Sequence, residues 1–80
     1  ASGGFAALRT ATPQAADLLA VGEAALQSGN VQAAVDAYEA ALAVDPGYTP
    51  TLLRLAEAAR AANLPGKAIR YYREALSRDP

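Results

Sequence analysis

The sequence predicts an all-α fold made of two tandem helix–turn–helix units, and three observations support this expectation. The 80 residues include 22 alanines and 10 leucines, whereas valine, isoleucine and threonine together supply only nine residues. Alanine and leucine are strong helix formers. Apolar residues also recur at helical spacing along most of the chain. Finally, the sequence matches itself when it is shifted by 34 residues, a period typical of stacked helical repeats.

The internal repeat aligns residues 15–48 with residues 49–80. Of the 32 aligned pairs 11 are identical, and an alanine-rich composition does not account for the matched tyrosine, leucine and Asp-Pro pairs. The identical pairs are Leu18/Leu52, Leu19/Leu53, Glu23/Glu57, Ala24/Ala58, Ala25/Ala59, Ala34/Ala68, Tyr38/Tyr72, Ala41/Ala75, Leu42/Leu76, Asp45/Asp79 and Pro46/Pro80. We therefore divide the chain into an N-terminal segment and two repeats, at residues 1–12, 13–48 and 49–80.

Start and stop signals divide the repeats into helices. Thr12-Pro13 and Thr49-Pro50 each predict an N-cap followed by proline in the first turn. Gly29-Asn30 and Asn63 predict helix ends, because glycine and asparagine accept the left-handed backbone conformation. Pro65 is tolerated at a helix start, where its missing N–H costs nothing. The four predicted helices span residues 13–28, 31–44, 49–62 and 65–78.

Each repeat carries two apolar stripes that predict its buried helix faces. The stripes of the first helices follow the spacing i, i+3, i+4, i+7, and those of the second helices follow i, i+4, i+7, i+8. In the first helices the stripes are Leu18, Val21, Gly22 and Ala25, then Leu52, Leu55, Ala56 and Ala59. In the second helices they are Ala34, Tyr38, Ala41 and Leu42, then Ala68, Tyr72, Ala75 and Leu76.

The repeat resembles the tetratricopeptide repeat, a 34-residue helix–turn–helix unit. Val21-Gly22 matches the family's Leu-Gly pair, Tyr38 its aromatic residue and Pro46 its terminal proline, and Ala34 and Ala68 match its small residue. The second copy repeats the pattern with Leu55-Ala56, Tyr72 and Pro80, although leucine replaces the usual tryptophan. This resemblance covers residues 15–80 and implies a fragment of a right-handed superhelical solenoid.

Residues 1–12 are less informative. Ser2-Gly3-Gly4 is typical of a linker, and Phe5, Ala7 and Leu8 are compatible with a short helical turn on the outer edge of the first repeat. A frayed terminus is an equally good interpretation.

Several function classes are excluded by composition. Without cysteine or histidine the chain has no thiolate or imidazole metal site and no nucleophile–histidine pair. Glu23 and Glu57 are a candidate pair of catalytic carboxylates, because they occupy equivalent positions of the two repeats. We interpret them instead as solvated residues on an open face. We therefore predict no catalytic, cofactor or metal site and no enzyme activity. A net charge of −1 predicts no nucleic-acid partner, and the absence of a long apolar run predicts a soluble chain without membrane insertion. The sequence does not predict the compartment.

The resemblance implies a peptide-binding groove lined by the first helix of each repeat. A protein or peptide partner would then contact an apolar strip of leucines flanked by charged residues. The alternative interpretation is that these leucines only complete the packing between repeats. The positions implied to face the groove are Ala16, Leu19, Ala20, Glu23, Leu26, Gln27, Leu53, Arg54, Glu57, Arg60 and Ala61.

The charge distribution and the apolar residues near the end of the chain suggest a second possible function. Residues 15–48 hold five acids and no base, a charge of −5, while residues 49–80 hold six bases and three acids, a charge of +3. Such a chain has charge complementarity with a copy of itself. We also expect Ile69, Tyr72 and Leu76 to form an uncovered edge of the kind that signals association. The alternative to a peptide-binding module is thus an assembly unit that forms a homodimer or stacks on further repeats.

Overall fold

The computed structural model of this protein describes residues 9–78, and they form four α-helices. The predicted turn at Phe5, Ala7 and Leu8 and the Asp79-Pro80 joint lie outside the described residues. No helix end differs from its predicted position by more than one residue, and the predicted all-α fold is confirmed. The helices are α1 (Pro13–Gln27), α2 (Val31–Val44), α3 (Pro50–Ala61) and α4 (Pro65–Arg78).

The helix ends follow the predicted chemistry at most positions. The Thr12 side chain accepts a hydrogen bond from the backbone N–H of Ala15 at 3.3 Å and so caps α1. Asn30 caps α2 in the same way, with a 3.3 Å bond from the N–H of Ala33. Gly29 (φ 84°) and Asn63 (φ 61°) adopt the left-handed conformation at equivalent positions of the two repeats. These residues therefore set the two tight turns between paired helices.

Thr49 lies at the predicted N-cap position of α3, but its side chain does not cap the helix. Thr49 already has helical backbone angles, φ −59° and ψ −36°, and its side chain makes no capping hydrogen bond. Carbonyl groups satisfy the first N–H groups of the helix instead, because Thr51 donates to Tyr48 at 3.3 Å and Leu52 donates to Thr49 at 2.9 Å. A tightened first turn thus replaces the side-chain cap.

Each helix packs mainly against its neighbours in sequence. The pairs α1–α2 and α3–α4 form two hairpins, and α2 packs against α3 to join them. Among the described residues, α1 and α4 share no extended contact, so the helices form an open row and not a closed bundle. One apolar core runs through both hairpins, and it contains Leu19, Ala34, Val35, Tyr38, Ala41, Leu52, Leu55, Ala56, Ala58, Tyr71 and Ala75.

The buried face of α1 differs from the predicted stripe. Val21 is 57% exposed, whereas Leu19 lies in the core. The equivalent stripe on α3 is fully buried as predicted, with Leu55 at 0% exposure. The reason is position in the row: α3 has a helix on both sides, whereas α1 packs against α2 alone among the described helices.

Gly22 allows a close contact between α1 and α2 in the first hairpin. A Cβ atom at this position would lie 2.4–2.8 Å from ring carbons of Tyr38. The ring therefore rests directly on the α1 backbone, and Tyr38 is almost completely buried. The second repeat has Ala56 and Tyr72 at the equivalent positions, and Tyr72 is only half-buried.

Candidate functional site

An exposed face on α1 and α3 contains most of the residues that were predicted to line a groove. Leu53 contributes the largest apolar group there and is 49% exposed. Arg54 and Leu26 are half-buried. The remaining members of the predicted set, apart from Leu19, are exposed: Ala16, Ala20, Glu23, Gln27, Glu57, Arg60 and Ala61. We call this surface the α1/α3 face.

A charged pair connects the two helices of the α1/α3 face. Arg54 on α3 lies 3.4 Å from the carboxylate of Glu23 on α1, and both side chains are partly exposed. The core residue Tyr38 is influenced by this pair. Burial raises the pKa of its phenol, and the charge of Arg54 partly offsets that rise. This pair links the exposed sides of the first helices of the two repeats, which in the described part of the chain share no extended packing contact with each other.

Leu19 does not contribute to an apolar strip on this face. It is only 7% exposed and packs in the core. Leu26 is half-buried against the same core. The interpretation that the leucines complete helix packing is therefore correct for Leu19, while its repeat equivalent Leu53 remains exposed. Sequence equivalence did not distinguish them, because α1 and α3 have different neighbours in the row.

The predicted association edge lies on α4. Ile69 and Leu76 are 52% and 65% exposed, and Tyr72 is half-buried. Arg70 and Arg73 are also exposed on this helix. We call the surface formed by Ile69, Tyr72, Arg73 and Leu76 the α4 edge.

Charged residues also join the two repeats on the side of the second helices. The Glu39 carboxylate on α2 accepts hydrogen bonds from the Lys67 ammonium and the Tyr71 hydroxyl on α4, each at 2.9 Å. The bond from Lys67 lowers the pKa of Glu39, and Arg70 adds to this effect. Part of the charge difference between the repeats is thus neutralised within one chain.

Asp45 holds residues 9–12 against the joint between the repeats. This carboxylate is buried, forms an ion pair with Arg9, and accepts a 3.0 Å hydrogen bond from the N–H of Thr12. The bonds from Arg9 and Thr12 lower the pKa of Asp45 to about 2. The Arg9 guanidinium also lies 5.9 Å from the ring centre of Tyr48. The repeat pattern did not predict this cluster, because Arg9 is 36 residues from its partner and lies outside the repeats.

Comparison with known proteins identifies the repeat. A family model described as tetratricopeptide repeat matches residues 25–80, which is more than half of the chain. The chain belongs to the tetratricopeptide repeat family. Tetratricopeptide domains generally act as protein–protein interaction modules and are typically non-enzymatic scaffolds. The same comparisons find no matching curated protein and no matching solved structure.

The described residues of this tetratricopeptide domain also bear on metal binding and on membrane insertion. Across residues 9–78, no group of three or more acidic side chains is arranged to hold a metal ion. Within the same range, no helix combines the length and the apolar character needed to cross a bilayer. One glutamate of the candidate carboxylate pair, Glu23, is engaged with Arg54.

Proposed function

We propose that this tetratricopeptide domain binds a peptide or protein segment on the α1/α3 face. The observation that carries the proposal is the set of exposed side chains on the first helices of both repeats, bridged by Glu23 and Arg54 at 3.4 Å. An extended or helical segment that lies across both helices would contact both repeats at once. Its affinity would then depend on the two repeats being docked together.

The side chains of the α1/α3 face suggest how such a segment is held. Leu53 would bury an apolar side chain of the partner, because it is large and about half exposed. Ala16 and Ala20 are small and would let the partner approach the α1 backbone. Glu57 and Arg60 on α3 would select partner charges at the rim, together with Glu23 and Arg54. With one large exposed apolar anchor, we expect dissociation constants in about the micromolar range.

A selection from a random peptide library tests the proposal. Displayed peptides would be selected on the purified domain, and the enriched sequences would be titrated by fluorescence anisotropy. We expect Leu53→Glu to weaken their binding at least about tenfold, which corresponds to about 1.4 kcal/mol. Arg60→Glu should change the charge preference of the selected peptides, because a rim charge acts on specificity.

Leu76→Glu is the matched control, because it places the same charge on an exposed leucine of the α4 edge. This variant should bind the selected peptides as the unmodified domain does. Peptides that lose affinity on Leu76→Glu but not on Leu53→Glu would move the binding site to the α4 edge. A library that yields no enriched sequence at all would remove the proposal.

A second candidate function, assembly through the α4 edge, is supported by a separate observation. Ile69 and Leu76 are more than half exposed although both are large and apolar. Their repeat equivalents on α2 are Val35, which is fully buried, and Leu42, which is half-buried. Exposed apolar patches of this kind mark protein interaction sites.

A further inference from the structure

The first repeat shows how a surface equivalent to the α4 edge is covered within this chain. Val35 and Tyr38 on α2 are the repeat equivalents of Ile69 and Tyr72, and they are at most 1% exposed. Helix α3 of the second repeat packs directly against α2 and adds to the cover that α1 gives Tyr38 at Gly22. The same helix surface is therefore buried in the first repeat and open in the second.

The opposite side of the row shows the complementary surface. Leu55 and Ala58 on α3 are fully buried where the repeats meet. Their equivalents on α1 are Val21, which is 57% exposed, and Ala24, which is also exposed. We call Leu18, Val21 and Ala24 the α1 edge. The α1 edge and the α4 edge thus correspond to the two halves of the contact between the repeats.

We propose that copies of this chain stack head to tail, with the α1 edge of one copy on the α4 edge of another. Each junction would reproduce the packing of α3 on α2 within one chain. The inference rests on the assembly function proposed above and adds its orientation. Because the two surfaces differ, the contact is heterologous, and copies can add in one direction without closing into a symmetric dimer.

Charge complementarity favours this orientation. Within the chain, Glu39 on α2 is bonded to Lys67 and lies near Arg70. At the junction between copies, Arg73 takes the position of Glu39 and Asp36 takes that of Arg70, while an alanine takes that of Lys67. The hydrogen-bonded pair is therefore not reproduced, but the attraction between Glu39 and Arg70 has a counterpart with both signs reversed. Within residues 9–78, neither Arg73 nor Asp36 belongs to an ion pair.

A symmetric contact between two α4 edges is disfavoured by the same charges. It would bring Arg70 and Arg73 of one copy close to the same two arginines of the other. Like charges at an interface oppose association, and no acid at the centre of the α4 edge compensates for them. Glu74 on this helix is already paired with Arg78 at 2.7 Å.

One residue limits the affinity of the head-to-tail contact. Asp17 takes the position of Thr51, which is fully buried within the chain. Placing a carboxylate there carries a desolvation cost, so we expect association in about the micromolar to millimolar range. Replacing α1 residues with their α3 equivalents, as in Asp17→Thr with Val21→Leu, should therefore tighten association at least about tenfold.

Sedimentation equilibrium on blocked variants tests the orientation. We expect the mean mass of the unmodified chain to rise above 8.2 kDa as the concentration is raised from about 10 µM to about 1 mM. Val21→Glu blocks the α1 edge and Leu76→Glu blocks the α4 edge, and both change exposed residues. Each variant alone should remain at 8.2 kDa, whereas an equimolar mixture should form a 1:1 dimer of twice that mass.

Further outcomes distinguish assembly as such from its head-to-tail orientation. Leu53→Glu should associate as the unmodified chain does, and circular dichroism should show that all variants remain helical. If Val21→Glu dimerises alone while Leu76→Glu does not, the contact is symmetric: assembly stands and the head-to-tail orientation is overturned. If the unmodified chain and the Asp17→Thr/Val21→Leu variant both remain at 8.2 kDa at 1 mM, about the weakest expected affinity, both proposals are overturned.

Discussion

The two repeats have matching sequences but different surroundings. Leu55 in the second repeat is fully buried, whereas its equivalent Val21 in the first is 57% exposed. On the second helices the difference is reversed, since Val35 is buried and its equivalent Ile69 is exposed. In a row of stacked helices, burial is thus decided by which neighbours are present, and the same sequence pattern produces a core at the centre and a surface at each end.

The largest expected effect is on the free energy of unfolding, and it should differ between the centre of the row and its end. Leu55→Ala should lower the free energy of unfolding by about 2–5 kcal/mol, because it leaves a cavity where both repeats meet. Val21→Ala removes apolar atoms that are already largely exposed and should change stability by about 0.5 kcal/mol or less. Urea denaturation followed by circular dichroism measures both. Equal losses for the two variants would contradict the comparison.

The next effect concerns the contact between Gly22 and Tyr38. Gly22→Ala adds a methyl group within 2.8 Å of the ring, so we expect a loss of about 1–3 kcal/mol despite the better helix propensity of alanine. The reverse change in the second repeat, Ala56→Gly, should cost about 1 kcal/mol through helix propensity and lost packing. Thermal denaturation of the two variants compares them. A Gly22→Ala variant as stable as the unmodified chain would show that Tyr38 can shift without cost.

The smallest expected effect concerns pH and the joint between the repeats. The pKa of Asp45 is about 2 in the folded chain and near 3.8 in an unfolded one, so ionised Asp45 stabilises the fold above pH 3.8. That contribution should decrease as the pH falls from 3.8 towards 2 and the carboxylate becomes protonated. The melting temperature of Asp45→Asn should therefore lie below that of the unmodified chain at pH 6 and approach it near pH 2.

Asp36→Asn is the matched control for this pH experiment. Asp36 is exposed on α2, the helix that ends just before Asp45, and within residues 9–78 its carboxylate accepts a side-chain hydrogen bond only from Gln32, at 3.1 Å. Its replacement should leave the melting temperature almost unchanged across the same pH range. A gap between Asp45→Asn and the unmodified chain that stays constant down to pH 2 would show that the ion pair with Arg9 does not stabilise the fold.

Local sequence signals predicted the helices well, because helix ends are set by residues at or next to them. Gly29 and Asn63 end helices through their own backbone freedom, and Pro13 and Pro65 begin helices where a missing N–H is harmless. Thr49 differs only in its side chain, since it lies at the predicted N-cap position without a capping hydrogen bond. The carbonyls of Tyr48 and Thr49 accept from the first N–H groups instead.

The candidate site was predictable only in part, because exposure depends on distant neighbours. The resemblance to the tetratricopeptide repeat assigned Leu53, Glu57 and Arg60 to the groove, and all three side chains are exposed. The same assignment did not reveal that Leu19 is buried in the core. It also gave no indication of the ion pair between Arg9 and Asp45, since nothing in the repeat relates two residues so far apart in the chain.

By itself, the sequence determined the helical content, the turns and the two-repeat order of this protein. Backbone propensities and a 34-residue period act over short distances and need no knowledge of the rest of the fold. The tertiary structure alone decided which of two equivalent residues is covered, because a helix in the middle of the row has neighbours on both sides. It also decided the partners of Glu39 and Asp45, since an ion pair requires a specific distance between side chains that only the docked repeats bring together.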